Sequence, residues 1–352
     1  MRHVFLYISG LLFFHAVPPL IAARPLLSQL PLAPHLLMYL TAALMAVVTL
    51  RAQWVLSLRV LLSCLLVTLA APFLIGSDTQ AVVIAGFLMI GIAVPVFIRF
   101  AFEDAVMRDK PIGSMLGYAS FALETIAFGI GALITYLSVI KAQGLLFIVP
   151  LVTLFIVLRS RGTLPVPTHT APRLRILATV KDVIPAVCAN TAFFLFLAGV
   201  SLSGDQISPM QVGSAIAITA FGFAGGAFLS DHVRRLMSDK LLLVVFSLCG
   251  LAGGLLGALV SLESFPGLIL LIAIAISTSN GVIISTSLST SRLNDDAVAG
   301  LPADNALVFL AASGGVALVF SLAATQFLAS NAWMPIVLVY LAAIGAALVQ
   351  KK

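Results

Sequence analysis

Twelve apolar runs, each near the length of a membrane-crossing helix, leave this chain almost no sequence with which to build anything else. They cover residues 4–23, 34–51, 55–75, 80–101, 112–138, 143–159, 179–202, 209–229, 241–261, 265–288, 303–328 and 332–349. A helix rising 1.5 Å per residue needs about 20 apolar residues to cross a hydrocarbon core of about 30 Å. Water cannot take up backbone hydrogen bonds inside that core, so a helix must close them internally. Composition agrees: the 352 residues are 61% hydrophobic and 9% charged, against about 25% charged in an ordinary soluble domain. The expected fold class is an all-α polytopic membrane protein with twelve transmembrane helices.

The loops are short and leave no room for a soluble domain. The longest, Ser160 to Ala178, carries Arg161, Pro165, Pro167, Pro172, Arg173 and Arg175. It divides the chain into an N-terminal half (1–159), a connector (160–178) and a C-terminal half (179–352) of six spans each. Basic residues gather in alternate loops: Arg2, Arg51 with Arg59, Arg108 with Lys110, Arg159 to Lys181, Arg234 to Lys240, Arg292, and Lys351 with Lys352. The intervening loops hold little beyond Arg24, Lys141, Asp78, Asp205 and Glu263. By the positive-inside rule, both termini are expected on the cytoplasmic side of an inner (plasma) membrane. The net charge of +6 is spread over these loops, which is an orientation signal rather than a nucleic-acid footprint. Met1-Arg2-His3 and the apolar run behind them read as a first span, since removing a signal peptide there would leave eleven spans and break the alternation. Cys64, Cys188 and Cys249 sit inside apolar runs without paired spacing, so neither a disulfide framework nor a metal site is expected.

The most informative stretch is Ser208 to Lys240. A glycine-rich span, Pro209 to Leu229, runs into Asp231-His232-Val233-Arg234-Arg235, and a new apolar run starts at Leu241. Gly222, Gly225 and Gly226 are expected to let another helix approach closely. The charged turn resembles the loop between the eighth and ninth helices of the major facilitator superfamily, whose pattern is Gly-x-x-x-Asp-Arg-x-Gly-Arg-Arg. Asp231 and Arg235 match; Ala227 stands at the leading Gly, His232 at the first Arg and Arg234 at the second Gly. The turn after span two, Leu50 to Arg59, keeps its bases but has no Asp and no Gly. A faint repeat links span five, read from Gly113, with span eleven, read from Gly300. The resemblance implies two pseudo-symmetric six-helix halves, with substrate bound midway between them.

Several residues carry candidate chemistry. Glu124 lies about 18 Å into span five at 1.5 Å per residue, close to the midplane. A carboxylate there must be protonated, paired or open to water, and is a proton-coupling candidate. His15, before Pro18-Pro19 in span one, is the second; a packing role is the alternative for each. Span ten reads I-S-T-S-N-G-V-I-I-S-T-S from Ile276 and offers Ser277, Asn280 and Ser287. Asn190 and Thr191 fall at similar depth in span seven. Together these five are candidates to line a neutral polar substrate cavity; hydrogen bonding between helices is the alternative. The resemblance implies that spans one, four, seven and ten face that cavity, and that Asp231, Arg234 and Arg235 form a conformational latch. Arg99 is expected to reach the headgroups from the end of span four, Lys181-Asp182 to form an interfacial pair, and Asp304-Asn305 to cap span eleven.

No phosphate loop, metal-ligand spacing or nucleophile–base arrangement appears, so no enzyme is expected. The expectation is a secondary active transporter working as a monomer by alternating access. It would couple to the proton gradient, need no cofactor and export a small organic solute such as a drug, a metabolite or a siderophore-like compound. Its partners would be that solute, protons and the lipid bilayer, with no nucleic acid. Proton-coupled uptake by the same fold, and a non-transporting receptor or assembly subunit, are the alternatives.

Overall fold

The computed structural model describes residues 1–23, 34–51, 57–136, 139–160, 173–202, 209–260, 267–289, 301–327 and 333–350. Every regular element among them is an α-helix, and there are twelve: α1 (Arg2–Ala23), α2 (Pro34–Arg51), α3 (Leu58–Ile75), α4 (Gln80–Met107), α5 (Ile112–Tyr136), α6 (Val139–Arg159), α7 (Arg173–Leu202), α8 (Pro209–Val233), α9 (Asp239–Leu259), α10 (Leu268–Ser289), α11 (Leu301–Phe327) and α12 (Trp333–Val349). They coincide one for one with the expected spans. Most of the connector (161–172), the turn at 52–56 and the Asn294-Asp295-Asp296 turn lie outside the described residues.

Three of the ends that differ from the expected bounds lie where charge begins. α4 runs on through Glu103 and Asp104, α8 through Asp231 and His232, and α7 starts at Arg173. A charge at the bilayer edge ends an apolar run, but backbone hydrogen bonding continues past it. Lys181-Asp182 therefore sits two turns inside α7, with Lys181 exposed and Asp182 buried. Ser57 and Ser238 cap α3 and α9, each accepting a bond of 3.3 Å from the backbone N–H three residues on. Between α4 and α5 the chain turns in four residues, with Asp109 in the left-handed region at φ 50°, a conformation Asp tolerates better than most.

The chain divides into two compact units. Unit 1 comprises Met1–Lys110, Ala119–Arg173 and Asp295–Gly315; unit 2 comprises Pro111–Tyr118, Leu174–Asn294 and Val316–Lys352. Thus α5 begins in unit 2 and continues in unit 1, while α11 begins in unit 1 and continues in unit 2.

Within unit 1, α4 is the hub: α1, α2 and α3 all pack on it, and α6 packs on α1 and α3. Ser9 Oγ and Thr153 Oγ1, 2.8 Å apart, join α1 to α6. The unit-1 part of α11 meets α2 where Gly314 lies against Ala43 and the Tyr39 carbonyl.

Within unit 2 that place is taken by α10, which packs on α8 and α9, with α12 against α9. Leu195, Phe196, Leu243, Ile272, Ile276, Ile283, Ile336 and Tyr340 form its core. Lipid tails are as apolar as these side chains, so close packing has to hold the helices together. The α8–α10 contact shows how. A methyl built on Gly222 would strike the Ser277 hydroxyl, and one on Gly226 would strike the Thr278 backbone. Gly225, expected from sequence to share this role, faces open space with nothing within 4 Å.

This contrast yields a test. Gly226→Leu should force α8 off α10 and cost about 1–3 kcal/mol, the usual range for overpacking, seen as earlier thermal loss of the monodisperse peak in size-exclusion chromatography. Gly225→Leu should leave the transition where it is. Equal destabilisation by both would mean that the helix contact is not set by Gly226.

Candidate functional site

The two proton-coupling candidates, 109 residues apart in sequence, meet in unit 1. His15 Nδ1 of α1 lies 2.8 Å from Glu124 Oε1 of α5. Both side chains are about two-thirds covered, at 28% and 33% exposure, so the pair is neither sealed nor on the surface. With a proton on Nδ1 the imidazole donates to the carboxylate and the pair carries one negative charge. A second proton on the ring makes the pair an imidazolium–carboxylate with no net charge. The contact is geometrically compatible with either charge state of the ring. α1 continues through Pro18 and Pro19 to Ala23 without a break.

The five cavity candidates all fall in unit 2, on α7 and α10. Asn190 is partly exposed, whereas Thr191 is buried and returns its hydroxyl to the Val187 carbonyl at 2.8 Å. Ser277 is also spent locally: it donates to the Ala273 carbonyl at 2.5 Å and fills the space over Gly222. What the structure gives Thr191 and Ser277 is therefore a packing contact. Asn280 and Ser287, seven residues apart on one face of α10, are both fully buried. Ser279 Oγ, Asn280 Oδ1 and Ser285 Oγ are buried with no hydrogen-bond partner among the described residues.

The latch candidates separate. Asp231, in the last turn of α8, accepts three bonds from the first turn of α5: from Gly113 N at 3.1 Å, Ser114 N at 2.5 Å and Ser114 Oγ at 2.6 Å. The first N–H groups of a helix have no partner of their own and carry partial positive charge, so a carboxylate there is doubly favoured. Gly113 makes this possible. A methyl on it would lie 2.6 Å from Asp231 Oδ1 and against the Ala227 carbonyl and the Ser230 hydroxyl. Gly117 and Tyr118 extend the contact onto Phe228, the two rings meeting edge to face at 4.8 Å. Arg234 instead forms a two-pronged pair with Asp239, at 2.8 and 2.9 Å, bracing the turn into α9. Arg235 is exposed.

Two acids beyond the apolar part of span four have no expected role, yet they organise its end. Asp104, fully buried, binds Arg2 through two nitrogens and Arg108 Nε at 2.9 Å, with His3 Nδ1 at 3.5 Å. Arg2 also reaches the Ser160 carbonyl at 3.3 Å, so the first turn of α1 is fastened to α4 and to the end of α6. Glu103 binds Arg99 Nε at 2.9 Å. Arg99 does not reach toward headgroups; it is 5% exposed and turned inward to the Thr49 carbonyl of α2 at 3.3 Å and Asp304 of α11 at 3.4 Å. Asp304 is not a cap either, since α11 starts three residues earlier. The legible signal was the i, i+4 spacing of Arg99 with Glu103 and of Asp104 with Arg108.

No family model matches the sequence, and no curated protein matches it. Solved structures do. A major facilitator superfamily transporter, FucP, in the outward conformation aligns over 100% of this chain and 97% of its own, with TM-score 0.67 and 15% identity. The Escherichia coli fucose:proton symporter FucP, in a second structure, covers 99% and 97% with TM-score 0.64 and 14% identity. A bacterial homologue of the iron transporter ferroportin, in an outward-facing state, covers 98% and 95% with TM-score 0.66 and 15% identity. The chain therefore has the twelve-helix major facilitator fold, that of a multi-pass membrane protein.

Proposed function

We propose that this protein is a secondary active transporter that moves a small organic solute against proton flow, with the His15–Glu124 pair as the proton site. The observation that carries this reading is the 2.8 Å contact between an imidazole and a carboxylate on two different helices of an otherwise apolar chain. The pair is negative when it holds one proton and neutral when it holds two. A cationic or hydrogen-donating solute and a proton would then compete for one site, and that competition is the elementary condition for exchange. Asn190 and the buried oxygens near Asn280 are the proposed neutral contacts for the solute. The loop charges support both termini on the cytoplasmic side of the inner membrane, and the apolar cavity helices, with their scarcity of fixed charge and the glycine pattern of span five, support export from the cytoplasm. The likeness to a fucose:proton symporter supports a second reading, proton-coupled uptake, in which proton and solute bind together.

Asp231 and the first turn of α5 are the proposed latch. The α5–α8 contact would form in one access state and break in the other. A helix N-terminus held by one carboxylate can open at modest cost, because water replaces the same bonds.

Two measurements test these proposals. In liposomes containing the purified protein and a trapped pH dye, a panel of small organic compounds added outside should drive proton flow for at least one of them. Glu124→Gln should lower that flow by about tenfold or more, a change of about 1.4 kcal/mol. An unchanged flow would remove Glu124 from coupling. Separately, Gly113→Ala and Asp231→Asn should each speed cysteine labelling at residues placed along the first turn of α5. Wild-type labelling rates in both variants would show that this contact is static packing.

A further inference from the structure

We propose that the His15–Glu124 pair shares its space with a wall of aromatic rings, Tyr7, Phe14 and Tyr39, and that together they form a site for an organic cation bearing a substituted ammonium group. The proposal rests on the transport reading above, because it names the class of solute taken at the same site.

The wall comes from one face of α1. Between Leu6 and Ala16 only Tyr7, Leu11, Phe14 and His15 are partly open, and the rest are buried. Steps of four, three and one put these four side chains on one side of a helix. That side meets other helices. The Tyr7 ring lies 6.1 Å from Phe102 of α4, the Phe14 ring lies 4.5 Å from Tyr39 of α2, and His15 meets Glu124 of α5. Side chains that point outward are far more open, as Phe73 at 73% and Phe128 at 81%, against 28% for His15 and 33% for Glu124. Tyr7 and Tyr39 lie deep, surrounded by protein and close enough to interact electrostatically, yet neither is fully covered. Surface left open at such depth borders an internal space.

One carboxylate faces that space with capacity to spare. Glu124 gives one oxygen to His15, and its other oxygen has no hydrogen bond among the described residues. The arginines of α1 and α4 are engaged elsewhere, Arg2 and Arg108 with Asp104 and Arg99 with Glu103. Beside the acid stands the aromatic corner. The Phe14 and Tyr39 rings are tilted at 59° rather than stacked flat. Phe14 and His15 are sequence neighbours, so corner and pair stand at one depth, about 1.5 Å apart along the axis of α1.

This combination selects a kind of ligand. A cation within about 6 Å of a ring centroid is attracted by the negative face of the ring, and the carboxylate supplies a full opposite charge. A small inorganic ion would need several hard oxygen ligands. Among the described residues no three His, Cys, Asp or Glu side chains gather to hold one. An ammonium wrapped in carbon sheds its water readily and takes aromatic faces in place of ligands. A neutral solute could stack on the rings but would leave the carboxylate without a counter-charge.

Equilibrium dialysis of radiolabelled benzyltrimethylammonium against the full chain in lipid nanodiscs tests this, with empty nanodiscs as the blank and tetraphenylphosphonium as a bulkier second probe. Binding should saturate at one site per chain. Neopentylbenzene, the uncharged carbon isostere of the first probe, should compete at least about tenfold more weakly, and Glu124→Gln should erase most of that preference. Phe14→Leu and Tyr39→Leu should each weaken binding by about fivefold, whereas Tyr39→Phe, which keeps the ring, should bind as wild type does. The proposal is overturned if neither cation binds above the blank, or if the isostere competes as well as the cation. It is equally overturned if Tyr39→Phe loses as much as Tyr39→Leu, or if Glu124→Gln and Phe14→Leu both keep wild-type affinity. Should Tyr39→Leu or Phe14→Leu fail to insert, the isostere comparison and Glu124→Gln still decide. Binding needs no gradient. Its failure leaves transport of another solute class standing, while binding without any solute-driven proton flow keeps the site and removes the transport reading.

Discussion

A charge buried among apolar helices must find a partner, and that requirement shapes the structure of this chain. An unpaired ion in the low-dielectric interior costs several kcal/mol, more than any one packing contact returns. The charges at the helix ends accordingly come in groups: buried Asp104 with Arg2 and Arg108, buried Glu103 with Arg99, which also meets Asp304, and half-buried Asp231 with the N–H groups of α5. Each group joins separate helices. The ion groups fix which helix ends meet, and the small residues, Gly222, Gly226 and Gly314 among them, set how closely the shafts approach.

The same requirement shows why the starts of α5 and α11, related by the faint sequence repeat, are held in chemically different ways. α8 ends in Asp231, and a carboxylate suffices to hold the positive end of α5. α2 ends without an acid, since Leu50 to Arg59 has none. Its place is taken by Arg99, which bonds the Thr49 carbonyl of α2 and the Asp304 carboxylate of α11. One tie is a helix end on a carboxylate; the other runs through the Arg99 guanidinium.

The sequence shows the helices well, because each needs a long apolar run and little else reads that way. It shows their ends poorly, because Glu103, Asp104, Asp231 and Arg173 interrupt the apolar run while remaining helical. Glu124 stood out as an isolated acid in an apolar span and Asp231 by the pattern of its charged turn, and both have specific partners. Which partners could not be read: the His15–Glu124 contact spans 109 residues, and nothing local encodes it. The α4 acids were passed over since they lie past the apolar stretch, although their i, i+4 spacing to Arg99 and Arg108 was in plain view. Serines on α10 were the least legible, since Ser277 and its neighbours Ser279 and Ser285 look alike in sequence. Only the fold shows that Ser277 packs on Gly222 while the others carry bare oxygens.

The central claim, that this fold moves a small organic solute with protons, is tested most directly by comparing small molecules in medium and cells with and without the gene. The account predicts that at least one organic compound shifts between the two compartments when the gene is removed, and that a protonophore abolishes the difference in cells that keep it. If cells carrying correctly inserted protein and cells lacking it hold the same solutes under several growth conditions, the transport account is contradicted and a receptor or assembly role takes its place.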